Sequence, residues 1–349
     1  MEHGDGFIQQ YLQYVGDTEA PIFYHRWSML SAVGAYLGRQ YSLPFGHSEL
    51  FPNLYVMLIG DPGTRKSTAI KLAKKILIGA GYTTISADRS SKEKFIMDLA
   101  GEESEGSGKS IDDILDQNLW GKDAGDGLDA EMYIACDEFN DFIGLGNLEF
   151  ISLLGTMWDF AGDYKHRTKN SKSITVRNPT INILGGNTPV SFANAFPPDT
   201  LGQGFFSRLL LVYGENTGKK IPFPVIPTIE ATSTITSQLQ RIKLTSRGQA
   251  KLSPKARDLL AKIYTTYKPI DDARFVSYSN RRFTHLLKLC LVVSASHFAT
   301  SIEEHHVVEA NTLLTHTEHL MPKALGQFGK SRNSDITHKI MNVLEAAES

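Results

Sequence analysis

The sequence predicts an α/β fold with a parallel sheet, on three observations. Residues 53–77 run as an apolar strand, a glycine-rich turn and a helix: "NLYVMLI", then "GDPGTRK", then "STAIKLAKKIL" with Ile70, Ala73, Ile76 and Leu77 at helical spacing. Apolar runs of strand length return at 131–136 and, split at Asn178-Pro179, across 173–187, alternating with helical stretches. From about residue 232 the pattern turns helical, which adds a helical lid to the sheet.

The elements follow in order. Residues 7–42 carry apolar side chains three and four apart and read as helices, until Pro44, Gly46 and Pro52 break the pattern. The helix after the glycine-rich turn ends near "GAGY" (79–82), and "TTISADRSSKEKFIMDLA" predicts strand, turn and helix, with Ser90 and Ser91 as N-cap candidates. Residues 101–131 are polar and glycine-rich, as in a surface insertion. "LEFISLLGTMWDFAGDY" (148–164) is a helix candidate, and the proline-rich "IPFPVIPTI" (221–229) is a connector. The boundaries expected are an N-terminal helical segment at 1–50, a core at 51–225, a helical lid at 226–330 and a terminal helix at 331–349. In that last helix Ser334 and Asp335 are possible caps, and Ile336, Ile340 and Val343 share one face. A stripe of this kind needs a partner, so the expectation is a natural chain that continues into a small helical or winged-helix domain.

Composition bounds the function classes. A chain of 349 residues, 41% apolar, can bury a large core. A formal charge of −2 excludes a global polycation, so nucleic-acid contact would need a local patch. Cys136 and Cys290 lie far apart with no CxxC, which suits a reducing cytosol. "EHGDG" after Met1 is not a signal peptide, and no apolar stretch reaches 18 residues. The expectation is a cytoplasmic protein with no membrane partner.

The turn at 60–67 carries the first chemistry. A phosphate-binding loop reads G-x-x-x-x-G-K-[ST], with backbone N–H groups curled round an anion at a helix N-terminus. Here Gly60 opens the motif, Asp61, Pro62, Gly63 and Thr64 fill it, Lys66 and Ser67 close it, and Thr68 follows in the helix. Arg65 occupies the place of the second glycine. Lysine at 66 would reach the β/γ-phosphates and the Ser67 hydroxyl would ligate magnesium. Seventy-one residues after Lys66, a second apolar strand ends in Asp137-Glu138. A strand-end aspartate can hold the Mg2+ shell, and the adjoining glutamate can polarise the attacking water. Together the two motifs predict binding and hydrolysis of a nucleoside triphosphate, with ATP and Mg2+ as ligands.

Two further residues separate a motor from a kinase. "INILGGNTP" delivers Asn187 at a strand end, where an amide can orient the water beside the γ-phosphate. Twenty-one residues later "GQGFFSRLLLVYG" presents Arg208 on an aromatic turn before a strand-like run. An arginine so placed often acts across a subunit boundary on the neighbour's transferring phosphoryl group.

The succession GDPGTRKS, Asp137-Glu138, GGN and GFFSR resembles the AAA+ P-loop ATPases of the helicase superfamily 3 and minichromosome-maintenance type. It is most similar to a phage- and plasmid-borne, primase-associated group, over roughly residues 5–320. The resemblance implies a ring, hexameric in the family, of ATP-driven DNA helicase subunits that acts in replication on single-stranded or forked DNA, with a primase or polymerase as further partner. It also implies a second sensor arginine in "SNRRFTHLLKLC", for which Arg281 and Arg282 are candidates and Lys288 the reserve. Helicases of this type carry a basic hairpin just before the sensor strand. "KHRTKNSK" (165–172) stands there: Lys165, His166, Arg167, Lys169 and Lys172 form the densest positive cluster in the chain, suited to phosphates without sequence reading. His305, His306, His316 and His319 lack acidic or cysteine partners for a metal and read as surface histidines; Trp27 and Tyr36 read as core. Two other classes stay open: an ATP-switch helicase loader or initiator, and a P-loop small-molecule kinase.

Overall fold

The computed structural model describes residues 6–101, 130–144, 146–167, 173–196 and 204–326. The apolar runs that lack alternation become a sheet buried on both faces, as parallel strands require. Strands β3 (Tyr55–Ile59), β4 (Glu131–Cys136), β7 (Thr180–Asn187) and β8 (Leu209–Tyr213) pair in the order β4-β7-β3-β8, all parallel. The molecule is therefore α/β with a central parallel sheet. Ile85 adds a parallel bridge to Tyr133 at the β4 edge, which is all that the strand expected after residue 82 amounts to.

Helices α2 (Ile22–Leu37) and α3 (Lys66–Gly79) cover one face. α2 approaches the chain before β3 so closely that Gly34 tolerates no side chain: a Cβ there would collide with the Pro52 carbonyl oxygen. The other face carries an aromatic layer. Tyr55 donates its hydroxyl to the Leu154 carbonyl at 2.7 Å, its ring meets Trp158 and Phe205, and Phe139 stacks on Phe205 at 6.1 Å and 8°. Helices α4 (Lys92–Ala100), α5 (Phe139–Ile143), α6 (Leu148–Thr156) and α7 (Pro189–Ala195) complete the core, and Ser91 caps α4 by accepting from the Lys94 amide.

The helix expected over 148–164 stops at Thr156 and gives way to a 3-10 turn at 157–159. Gly162, at φ 85°, then turns the chain into β5 (Asp163–His166), which pairs antiparallel with β6 (Ile174–Arg177). The N-terminal segment is not an appendage. α1 (Phe7–Tyr14) and α2 are core helices, and Trp27 is fully buried, donating to Thr317 Oγ1 at 3.0 Å. Tyr36 is buried too. Residues 41–50, read as the end of the helical stretch at 42 and a break at Pro44 and Gly46, form the hairpin β1 (Tyr41–Phe45) and β2 (Ser48–Leu50), and Tyr41–Ser42 pair with residues 248–249 of the expected lid. The boundaries at 50 and 225 are thus crossed by pairing and packing.

The tail is helical as expected: α8 (Ile229–Thr245), α9 (Pro254–Thr266), α10 (Arg282–Ser296) and α11 (Glu304–Ala324). Most of the glycine-rich insertion at 101–131, the tip of the basic turn with Lys169 and Lys172, and the terminal stripe with Ser334, Asp335, Ile336, Ile340 and Val343 lie outside the described residues. Among the described residues no helix is long and apolar enough to cross a membrane.

Candidate active site

Register decides what can meet. Ile59 stands level with Asn187 and with Tyr213, and Cys136 with Gly185, so the loop after β3, Asp137-Glu138 and Asn187 share the C-terminal edge of the sheet. That edge, at the strand where the chain switches from one side of the sheet to the other, is where open α/β sheets hold ligands.

The loop is built from crowding as much as from freedom. Gly63 has φ 86°, the left-handed region that glycine supplies. Gly60 is needed for a different reason: a Cβ there would run into the Tyr24 hydroxyl, the Gly214 carbonyl and Thr64 Oγ1. Tyr24 of α2 supports this corner, donating to the Ile59 carbonyl at 2.7 Å and lying 3.0 Å from the Gly214 carbonyl. Arg65 adopts φ 62° and ψ 28° as the residue before α3. Its side chain turns outward, and Nε and Nη2 reach Glu19 Oε2 at 2.7 and 2.6 Å. Glu19 also accepts from the Ile221 amide at 2.9 Å; that bond first, and Arg65 second, hold its carboxyl below the usual range.

Lys66 lies inside the loop, where its ammonium donates to the Gly60 and Asp61 carbonyls at 2.7 and 3.1 Å and to Thr64 Oγ1 at 3.3 Å. Burial lowers its pKa, and the charges of Glu138 and Asp61 partly restore it. Burial likewise raises the Glu138 carboxyl, opposed by Lys66. Ser67 and Thr68 open the first turn of α3, half-buried. Asp137 is held at Oδ2 by Lys71 Nζ, 2.9 Å away; Lys71 is a partner that no motif announced.

Asn187 is fully buried. Its Nδ2 donates to Asn140 Oδ1 at 2.8 Å, while Asn140 Nδ2 donates to the Ser191 carbonyl at 2.7 Å. Because Asn140 spends its donor on a carbonyl, it must present its oxygen to Asn187. The atom of Asn187 left without a partner is therefore an acceptor, Oδ1. An acceptor suits a water proton rather than a phosphate oxygen. Gly185 and Gly186 of "GGN" have a packing cause: a Cβ on the first would press on Met57 and Phe139, and on the second would collide with the Asp137 carbonyl. Asn140 was missed by sequence reasoning, and nothing in its spacing distinguishes it.

Arg208 stands at the opposite edge. It precedes Leu209, the residue level with Tyr55 at the start of β3. The five residues of β3 separate it from the loop, about 17 Å at ~3.3 Å per residue. Its guanidinium donates to the Gly204 carbonyl and sits 5.7 Å from the Trp158 ring centre, and its Nε is buried without a partner. Burial first, then the charge of Arg281, lowers its pKa. It lines a cavity of about 250 Å³ with Ser152, Gly155, Thr156, Gly204 and Phe205.

Arg281 is beside Arg208, 5.9 Å from the same indole, and so not beside the loop of its own chain. Arg282 is taken out of the candidate set. It is buried, bonded to Glu318 at 2.9 Å, Asn311 at 2.8 Å and Thr315 at 3.2 Å, because a guanidinium facing the helical interior must be paired there. Lys288 is equally committed, to Asp159 at 2.8 Å and Asn53 at 2.6 Å.

In the β5–β6 hairpin, Lys165 and Arg167 are exposed, and cross-strand register adds Arg177 to their face, a cation missed in sequence. His166 points to the other face, opposite Ile174, half-buried. Among the described residues no group of three or more His, Cys, Asp or Glu could hold a metal ion. His306 is not a surface residue: it is buried, its Nδ1 accepting from the Glu303 amide at 3.0 Å in a capping box. Comparison with known proteins finds no family model and no curated protein that matches this chain.

Proposed function

We propose that this chain is an ATP-driven nucleic-acid motor that works as a ring, most simply a replicative DNA helicase of the phage and plasmid kind. One observation carries it. Lys66, Glu138 and Asn187 gather at one edge of the sheet while Arg208 occupies the other, beyond reach of any phosphate held by its own Lys66. An arginine with a buried, unpartnered Nε in a surface cavity is suited to a neighbour's phosphate.

The residues at the loop fit a triphosphate. Lys66 is a buried ammonium whose present partners are neutral oxygens, Glu138 lies close enough to couple to it, and Asn187 offers an acceptor for a water. Ser67 and Asp137 would hold Mg2+, which would neutralise charge on the β- and γ-oxygens, with Lys71 yielding its place on Asp137. Glu138 would take the water's proton, Asn187 Oδ1 would orient it, and Lys66 would follow the developing charge.

The test is complementation. Lys66→Ala and Arg208→Ala should each be nearly inactive as ATPases, and Arg208→Ala should still bind nucleotide. Mixed, they should regain activity at boundaries where an intact loop meets an intact arginine. Unmixed Arg208→Ala turning over at the parent rate would overturn the proposal. A forked duplex then separates motor from loader, since only a motor unwinds it without a partner.

A further inference from the structure

The connector 221–229 holds large apolar side chains away from the molecule. Phe223 is 89% exposed, Ile226 88% and Ile229 84%, with Val225 exposed between them. Prolines at 222, 224 and 227 restrict the backbone to an extended course. Both ends are anchored. The Ile221 amide is held by Glu19, itself paired to Arg65 of the loop, and Thr228 caps α8 by accepting from the Ala231 amide. A rigid, greasy strap at the rim of the nucleotide edge is costly to leave in water.

A second exposed patch complements it. Phe283 lies between Tyr264 and Phe45, with ring centres at 4.8 and 6.1 Å, and Tyr264 is 65% and Phe45 46% exposed. Phe283 stands in the first turn of α10, two residues past Arg281, so the patch lies at the end of that helix nearest the Arg208 edge, on the side away from Trp158. Proline-stiffened apolar segments dock on aromatic platforms of this kind, because little ordering entropy remains to be lost.

We propose, resting on the ring reading above, that the strap of one protomer docks on the Phe45–Tyr264–Phe283 patch of a second copy of this chain. The same head-to-tail contact that would bring Arg208 to a neighbour's loop brings the patch toward that neighbour's strap, since loop and strap share a rim through Arg65, Glu19 and Ile221.

Sedimentation with a non-hydrolysable ATP analogue tests it. A strap variant (Phe223→Ser with Ile226→Ser) and a patch variant (Phe45→Ser with Tyr264→Ser) should each raise the half-assembly concentration about tenfold or more. The combined variant should be little worse than either alone, as partners in one contact are non-additive. All four positions are exposed, so the variants should fold, and nucleotide binding by each monomer checks that they do. Parent assemblies left unchanged by the variants, or fully additive effects, overturn the docking while the ring stands. A parent that remains monomeric overturns both.

Discussion

Arg65 keeps its backbone at φ 62°, where a glycine would sit at no cost and where another residue stores of order 1–3 kcal/mol. Two effects oppose any gain from removing it. Glycine loses about 0.5–1 kcal/mol more conformational entropy on folding, and the pair with Glu19 is lost with the side chain. The terms nearly cancel, so Arg65→Gly should change stability by less than about 1 kcal/mol and leave nucleotide affinity intact. Chemical denaturation with a fluorescent nucleotide titration checks this. Lost affinity would mean that Glu19 positions the loop through Arg65.

The hairpin β5–β6 is the element that ties the motor proposal to nucleic acid. Alternation along both strands puts Lys165 and Arg177, with Asp163 opposite Arg177, on the exposed face and His166 and Val176 on the other, and Arg167 just past β5 is exposed as well. Replacing the three cations by alanine should weaken single-stranded DNA binding regardless of sequence, and should flatten the salt dependence by about 0.7 in log–log slope per lost contact. Basal ATPase should survive, because β6 leads into the start of β7, the sheet edge opposite Asn187, while its stimulation by DNA should fail. Unchanged binding and slope in the triple variant would remove the hairpin as a DNA contact.

Across the whole molecule, acid sensitivity follows from buried imidazoles. Burial lowers His25, His285 and His306 to about 4. His306 Nδ1 must also stay unprotonated to accept the Glu303 amide. Unfolded histidine binds its proton near pH 6.5. Between about pH 6.5 and 4 the unfolded chain therefore holds more protons than the folded one, and stability falls as pH falls, by at most about 1.4 kcal/mol per pH unit and histidine. Thermal melts should show the midpoint dropping steadily through that window and flat from pH 7 to 8. A midpoint independent of pH from 7 to 4 would contradict the neutral, buried state of these rings.

Local chemistry made much of this legible in the sequence. The strand, turn and helix around Gly60–Ser67, the split at Asn178-Pro179, the cap at Ser91 and the helical tail depend on near neighbours in the chain, and they appear where the pattern puts them. Contacts between distant segments left no such mark. Lys71 on Asp137, Asn140 under Asn187 and Tyr24 beneath Gly60 are set by strand register and helix placement, which no spacing rule contains. The same holds for the arginines at 281 and 282. Adjacent in sequence, they diverge because one faces Trp158 at the sheet edge and the other faces Glu318 inside the helices, and only the tertiary structure could choose between them.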